Sequence, residues 1–156
     1  MKEYRSNKAN NPIRKSMWLN LGIKEEDMEK PKIAIINSSS NIAVCFSHLD
    51  AIAKFAAEEI YKAGGISFEI RTAAPADFIF TGHNGGFVQA SRDLIANDIE
   101  AAVEGASLDG ILCLASCDKT LPGQLMAAAR INIPTIVVPC GYQPCGTYKG
   151  EHFDIE

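Results

Sequence analysis

Cys117-Asp118-Lys119 sets a thiol, a carboxylate and an amine on three consecutive residues. Thiolates favour iron–sulfur clusters, zinc or copper, whereas carboxylates favour magnesium, calcium or manganese. A run that holds both marks a metal-centred site. Further candidates are Cys45 with His48, Asp77 followed by His83, and the pair Cys140 and Cys145. Each also has a plainer reading. A free cysteine commonly behaves as a small buried hydrophobe, and Cys113, inside an apolar run, reads as one. Asp77, two residues after Pro75, can equally start a turn. His48 and Asp50 can cap or flank a helix. The segment Thr81-Gly82-His83-Asn84-Gly85-Gly86 can be a plain flexible loop. Its glycines do not join a strand directly to a helix, so they make no dinucleotide fingerprint, and no Walker A pattern occurs. Four residues separate Cys140 from Cys145 rather than two, and no second close pair completes a zinc site.

The elements that must position these residues alternate. Lys32–Asn37 is a short β-branched run, hence a buried strand. Residues 49–63 carry Leu49, Ile52, Ala53, Ala56 and Ile60 at helical spacing, and Gly64-Gly65 ends the helix. Ser67–Thr72 reads as a second strand. Ser91 can cap a second helix with an apolar face of Leu94, Ile95, Ile99, Ala102, Val103 and Ala106. Gly110–Ala115 is a third strand. A short helix follows, with Pro122 in its first turn and Leu125, Met126 and Ala129 inward. Pro134–Pro139 is a fourth strand. The expected fold is α/β: a three-layer αβα arrangement with a parallel sheet of about four strands, right-handed crossovers and site loops at the carboxyl ends of the strands. All four post-strand loops then share one rim, which gathers Cys45, Cys117, Asp77, Asp118, Lys119, His48 and His83. Soft and hard donors on one rim suggest two different metal centres side by side.

Composition bounds the rest. A chain of 156 residues with 47% apolar and 22% charged residues suits one domain with a real core. Residues 1–30 read as an N-terminal arm and 31–156 as the α/β domain. The net charge of -4 argues against a nucleic-acid partner. The basic group Lys2, Arg5, Lys8, Arg14 and Lys15 reads as part of a solvated arm rather than a binding patch. No apolar run approaches the roughly 20 residues needed to span a bilayer, and the N-terminus lacks a signal-peptide stretch. The expectation is a cytoplasmic protein whose five cysteines are buried thiols or ligands rather than disulfides.

Cys117-Asp118-Lys119-Thr120-Leu121-Pro122-Gly123 resembles the CDKxxPG motif of the dihydroxy-acid dehydratase and 6-phosphogluconate dehydratase family, which also includes sugar-acid dehydratases. Other segments match in order. Ile36-Asn37-Ser38 is similar to the end of the family's first strand, and Cys45-Phe46-Ser47-His48-Leu49 to its CNxHL segment. Asp77 with Gly82-His83 and Gly85 resembles its DGIxxGHxG loop. Ser91-Arg92-Asp93-Leu94-Ile95-Ala96 resembles SRELIA, and Asn132-Ile133-Pro134 resembles LNIPxI. The similarity runs over about residues 10–146.

The resemblance implies roles. Cys45 and Cys117 would ligate an iron–sulfur cluster, of the 2Fe–2S or 4Fe–4S type. Asp77 and Asp118 would ligate Mg²⁺, joined by Lys119 as a carbamate in a catalytic role. His48 and His83 would contact a small-molecule hydroxy acid. A carbamate needs a neutral amine, and desolvation or nearby positive charge lowers a lysine pKa. The implied reaction is loss of water from a 2,3-dihydroxy acid or sugar acid to give a 2-keto acid. The family pattern also implies a third cysteine in a downstream CGG-type segment, a further Mg²⁺-binding glutamate and a serine base in a C-terminal domain. Cys140 and Cys145 come too early to be that third cysteine, and Asp77-Phe78-Ile79 replaces DGI. The chain therefore reads as a truncated copy, half of a split gene or an excised domain. Three functions follow: a dehydratase fragment inactive alone, a split subunit completed by a partner chain, or a non-catalytic α/β interaction module. An uncovered apolar face would favour a homodimer or a complementing chain.

Overall fold

The computed structural model describes residues 4–8, 11–80, 82–141 and 143–153, without the side chains of His83 and Asn84. Strands β1 (Lys32–Asn37), β2 (Ile66–Arg71), β3 (Gly110–Ala115) and β4 (Thr135–Pro139) pair in parallel in the order β2-β1-β3-β4. Helices α3 (Leu49–Lys62), α4 (Gly86–Gly105) and α5 (Cys117–Ile131) connect them. This is the three-layer parallel α/β fold that the alternating sequence predicts. Two short helices, α1 (Arg5–Lys8) and α2 (Pro12–Asn20), precede the sheet, and an exposed antiparallel hairpin, β5 (Gly146–Tyr148) and β6 (Glu151–Phe153), follows it.

The two-residue period of a strand sorts the core onto two faces. Ala34, Ile36, Ile111 and Cys113 pack with Ile95, Ile99, Val103, Ala127 and Ile131 of α4 and α5. Ile35, Leu112 and Leu114 point the other way, onto Ala53, Ala56 and Ile60 of α3. The crossover helix changes face where travel across the sheet reverses, between β2 and β3, as a constant crossover hand requires. The first strand therefore lies at the switch point, where the loops after β1 and β3 part. Open α/β sheets bind ligands there. One consequence is a bare patch. On the α3 face β4 is incompletely covered among the described residues: Val138 packs on the α3 cluster, but Ile136 is 66% exposed, and a groove of about 790 Å³ runs past Ile33, Ile60, Leu112 and Ile136.

Two sequence expectations shift. Helix α4 starts at Gly86, five residues before Ser91, so Ser91 is not its cap; its hydroxyl donates to the Val88 carbonyl within the helix. Leu94, expected inward, is exposed. In α5 the buried face is Lys119, Thr120, Gly123, Gln124, Ala127 and Ile131, while Leu125 and Ala129 are exposed. The helix begins at Cys117, which puts Pro122 beyond the first turn. The face is turned this way because Gly123 meets α4: a Cβ there would lie 3.0 Å from Ile95. Polar residues can occupy an inner face when they serve strand ends, and Gln124 Nε2 donates to the Leu114 carbonyl at 3.1 Å.

The first thirty residues touch the domain at several points. Asn11 caps α2 by accepting the Arg14 N–H at 2.8 Å, with Pro12 at the first helical position. Trp18 packs on Phe68 with ring centroids 5.2 Å apart, and the Arg14 guanidinium sits over the Trp18 ring and donates to the Ala106 carbonyl at 2.6 Å. Ser6 is buried and donates its N–H and hydroxyl to Asp109. Among the described residues, no helix is long and apolar enough to cross a membrane.

Candidate metal centre

Helix α5 starts directly at the end of β3, so its first three residues sit on the carboxyl rim. Ser116 flanks it in extended conformation, and its N–H is accepted by the Thr120 hydroxyl at 3.1 Å. Cys117 then adopts φ +68°, a left-handed conformation that costs a non-glycine residue about 1–3 kcal/mol. That backbone bend orients the thiol separately from the carboxylate and amine that follow.

Lys119 points into the protein and is only 2% exposed. Its ammonium donates to Asp77 Oδ2 at 3.0 Å and, more closely, to Asp118 Oδ2. The two carboxylates are more open: their side chains are 39% and 59% exposed. The bond to Asp118, then that to Asp77, hold the Lys119 pKa above the ordinary lysine range against the opposing pull of burial. The expected depression is therefore absent from this metal-free arrangement, because two anions outweigh desolvation. Burial works to raise Asp118, yet hydrogen bonds from Lys119 and Cys117 and the Lys119 charge bring it below the usual carboxylate range. Asp77 Oδ1 is buried and accepts no hydrogen bond among the described residues. An orphaned acceptor beside an ion pair is what an oxygen-preferring cation would satisfy.

Cys45 lies across the switch point in a single 3₁₀ turn, Val44–Phe46, whose Cys45 carbonyl accepts the Ser116 hydroxyl at 2.7 Å. Cys45, Phe46, Leu49 and Ala76 form an apolar cluster against which Cys117 and Cys140 pack. Burial pushes the Cys45 thiol up, and burial pushes the Cys117 thiol up to about 11. Both are therefore poorly ionised thiols at neutral pH. Cys117 Sγ also lies 3.5 Å from Asp118 Oδ1, so the soft and hard groups adjoin at one peptide. A cavity of about 320 Å³ opens over both, lined in part by Cys45, Asp77, Phe78, Cys117 and Asp118.

The rim thus groups Asp77 with Asp118 and Lys119, and Cys45 with Cys117. His48 lies at the start of α3, where its Nε2–H donates to the Cys140 carbonyl at 2.9 Å. A carbonyl only accepts, so this nitrogen carries the proton. The backbone of His83 lies in the turn Gly82–Gly85, and its side chain lies outside the described structure. Cys113, in mid-strand, is buried on the α4–α5 face, where desolvation raises its pKa to about 12. Cys140, weighed in the sequence only as a pair with Cys145, packs instead on the apolar cluster that holds Cys45. The available signal was its place directly after β4, on the same rim. Among the described residues, no three His, Cys, Asp or Glu side chains converge on a position for a single ion.

The chain is a parallel α/β domain that gathers thiols and carboxylates at its switch point. Residues 30–156 match the family described as dihydroxy-acid/6-phosphogluconate dehydratase N-terminal. The chain belongs to that family. Among its relatives, the dihydroxy-acid dehydratase of Methanobrevibacter smithii is 42% identical over 135 residues, covering 86% of this chain and 25% of the relative. Those of Methanothermobacter thermautotrophicus and Halothermothrix orenii are 39% and 40% identical over 142 residues, each covering 90% of this chain and 26% of the relative. The chain spans about a quarter of the length of these relatives.

Proposed function

We propose that this chain supplies part of the metal-binding residues of a dehydratase that converts 2,3-dihydroxy acids or sugar acids to 2-keto acids. The supporting observation is the buried Lys119 held between Asp77 and Asp118, beside the Cys45–Cys117 pair on the same rim. Asp77, Asp118 and a carbamylated Lys119 would hold Mg²⁺, and Cys45 and Cys117 would hold an iron–sulfur cluster. When bound, the magnesium would stabilise negative charge on the substrate's carboxylate end and the cluster would accept its departing hydroxyl. Asp118, adjoining Cys117, fixes the spacing between the two centres. Phe78 and Ala76 also line the cavity over the hard group. His48 secures the loop after β1 to that after β4, while His83 remains a candidate for substrate contact.

The donor set of each centre is short on this chain, so the isolated 156-residue protein is expected to be inactive, as a fragment or as a subunit awaiting a complementing chain. The test is production of 2-keto acid from a 2,3-dihydroxy acid by the pure chain and by the chain co-expressed with the C-terminal remainder of a relative. The expected result is turnover only in the second case, abolished by Asp118→Asn. Turnover by the pure chain would overturn the fragment reading.

One observation favours a non-catalytic alternative. The Lys119 ammonium already neutralises much of the aspartate charge, so the rim is stable without metal. In that case the chain is an α/β interaction module, and Lys119→Met or Cys117→Ser would leave its function unchanged.

A further inference from the structure

The two faces of the sheet are covered unequally. Helices α4 and α5 span one face, whereas α3 alone lies on the other and packs against β1 and β2 more than against β3. Both faces of an all-parallel sheet are ordinarily buried. Here Ile136 of β4 and Phe55 of α3 are 66% and 64% exposed. Two hollows, of about 790 Å³ and 350 Å³, share Ile60 and Leu112 and so form one apolar trough between α3 and β4. The β4 edge is open as well. It has β3 as its one neighbour among the described strands. The Pro134 carbonyl and the Cys140 N–H bond to β3. Alternate residues of a parallel strand bond to alternate sides, so Thr135 and Val137 turn their N–H groups outward.

Simple extension of the fold does not close this trough. The crossovers from β2 to β3 and from β3 to β4 run outward and set α4 and α5 on the opposite face. A right-handed crossover to a further outer strand would set its helix there as well. The cover must therefore be a separately placed body. Its source is the rest of a longer protein, since this chain spans about a quarter of the length of its relatives. We propose that the trough between α3 and β4 is where the C-terminal remainder of the dehydratase docks. It lays an apolar face over Ile136 and Phe55 and a segment along the β4 edge. The proposal rests on the reading of this chain as one part of a longer dehydratase. It goes beyond that reading in where the parts meet: the remainder grips the side of the sheet as well as the metal-bearing rim. Apolar surface removed from water there supplies affinity. The cavity over Cys117 and Asp118 stays free for metal and substrate.

The experiment is co-expression of the tagged chain with the C-terminal remainder of a relative, reading the amount of remainder captured per chain. The unaltered chain should capture it, and so should Ile13→Asp, in α2 beside the opposite edge strand β2. Ile136→Asp and Phe55→Asp would each bury a charge without a partner, and each should capture about tenfold less. Both positions are exposed in the free chain, so these variants should unfold at the same urea concentration as the unaltered chain. Equal capture by all four overturns the docking surface and leaves the dehydratase reading in place. A fusion of the chain to the same remainder gives a second measurement that needs no capture. Amide exchange at Thr135 and Val137 should be slower in the fusion than in the isolated chain by about tenfold or more. Unchanged exchange overturns the proposal. Failed capture together with unchanged exchange takes down the longer-dehydratase reading as well. A dimer of the chain alone that Ile136→Asp dissolves, with no capture of the remainder, assigns the trough to a second copy and overturns the proposal too.

Discussion

Two lysines are buried at opposite ends of this sheet, and they are buried in different ways. Lys32, at the amino end of β1, is 0% exposed. Its ammonium donates to Asn7 Oδ1 at 2.8 Å and to the Met28 carbonyl, and lies 5.6 Å from the Trp18 ring centroid. Lys119, at the carboxyl end, meets two carboxylates on partly exposed loops. Neutral acceptors and an aromatic face contact the Lys32 charge, and the opposing pull of Asp109 and Glu29 does not offset burial, so its pKa is lowered. Carboxylates balance the Lys119 charge, and its pKa is raised, first by Asp118 and then by Asp77. The difference separates a structural lysine from a replaceable cation. The amino-end partners hold Lys32 within a wider network, with Asn7 also donating to Glu29 and Trp18 packing on Phe68. The carboxyl-end pair would serve another cation equally well.

Truncating each lysine should give the largest contrast. Lys32→Ala leaves the Met28 carbonyl and the Asn7 side chain without their donor and opens a cavity beneath Trp18. Cavity and unsatisfied-acceptor costs together amount to about 3 kcal/mol. Lys119→Ala also opens a cavity, but its two partners keep partly exposed side chains, so its cost should be lower, about 2 kcal/mol. Urea unfolding of the metal-free chain measures both. Equal losses would remove the distinction between the two ends.

That distinction was only half legible in the sequence. The carboxyl end was readable because parallel strands announce themselves as β-branched runs, and ligands gather beyond their carboxyl ends. Lys32–Asn37 and Gly110–Ala115 are strands over the residues the sequence suggests. Order along the chain then placed Cys45, Asp77, Cys117, Asp118 and Lys119 on one rim. The amino end was not readable. A lysine opening a strand looks solvent-facing, and its burial depends on Asn7, Trp18 and Met28, which periodicity does not bring together. Helix α4 was set five residues short because Gly85-Gly86 read as loop and Ser91 as a cap, whereas the helix begins at Gly86. The inner face of α5 was misread because Gln124 and Thr120 are polar, and their inward role appears only once the strand-end carbonyls are placed. The three-residue strands β5 and β6 are too short to show alternation.

Backbone strain sharpens the comparison at the carboxyl end. Cys117 holds φ +68° on a residue with a side chain, and glycine adopts that region without penalty. Cys117→Gly should be about 1 kcal/mol more stable than Cys117→Ala. Both variants lose the thiol, so the difference isolates the backbone. If the two unfold at the same urea concentration, the rim is unstrained and the bend is no cost of placing the thiol.

The smallest effect is in the pH dependence at alkaline pH, where the two lysines act with opposite signs. An unfolded lysine titrates near about 10.4. The folded Lys32 gives up its proton below that value, so within that window the unfolded chain binds more protons. Stability then rises with pH. The folded Lys119 keeps its proton above the unfolded value. Its contribution is fully present below the ordinary lysine pKa and is lost as pH rises through the higher folded one. Urea midpoints measured across the alkaline range should therefore fall less steeply in Lys119→Met than in the unaltered chain. In Lys32→Met they should lose the preceding rise. Parallel curves for the two variants would mean that both ammonium groups share one kind of environment. The carboxylates beside Lys119 would then not be balancing a charge that a metal could take over.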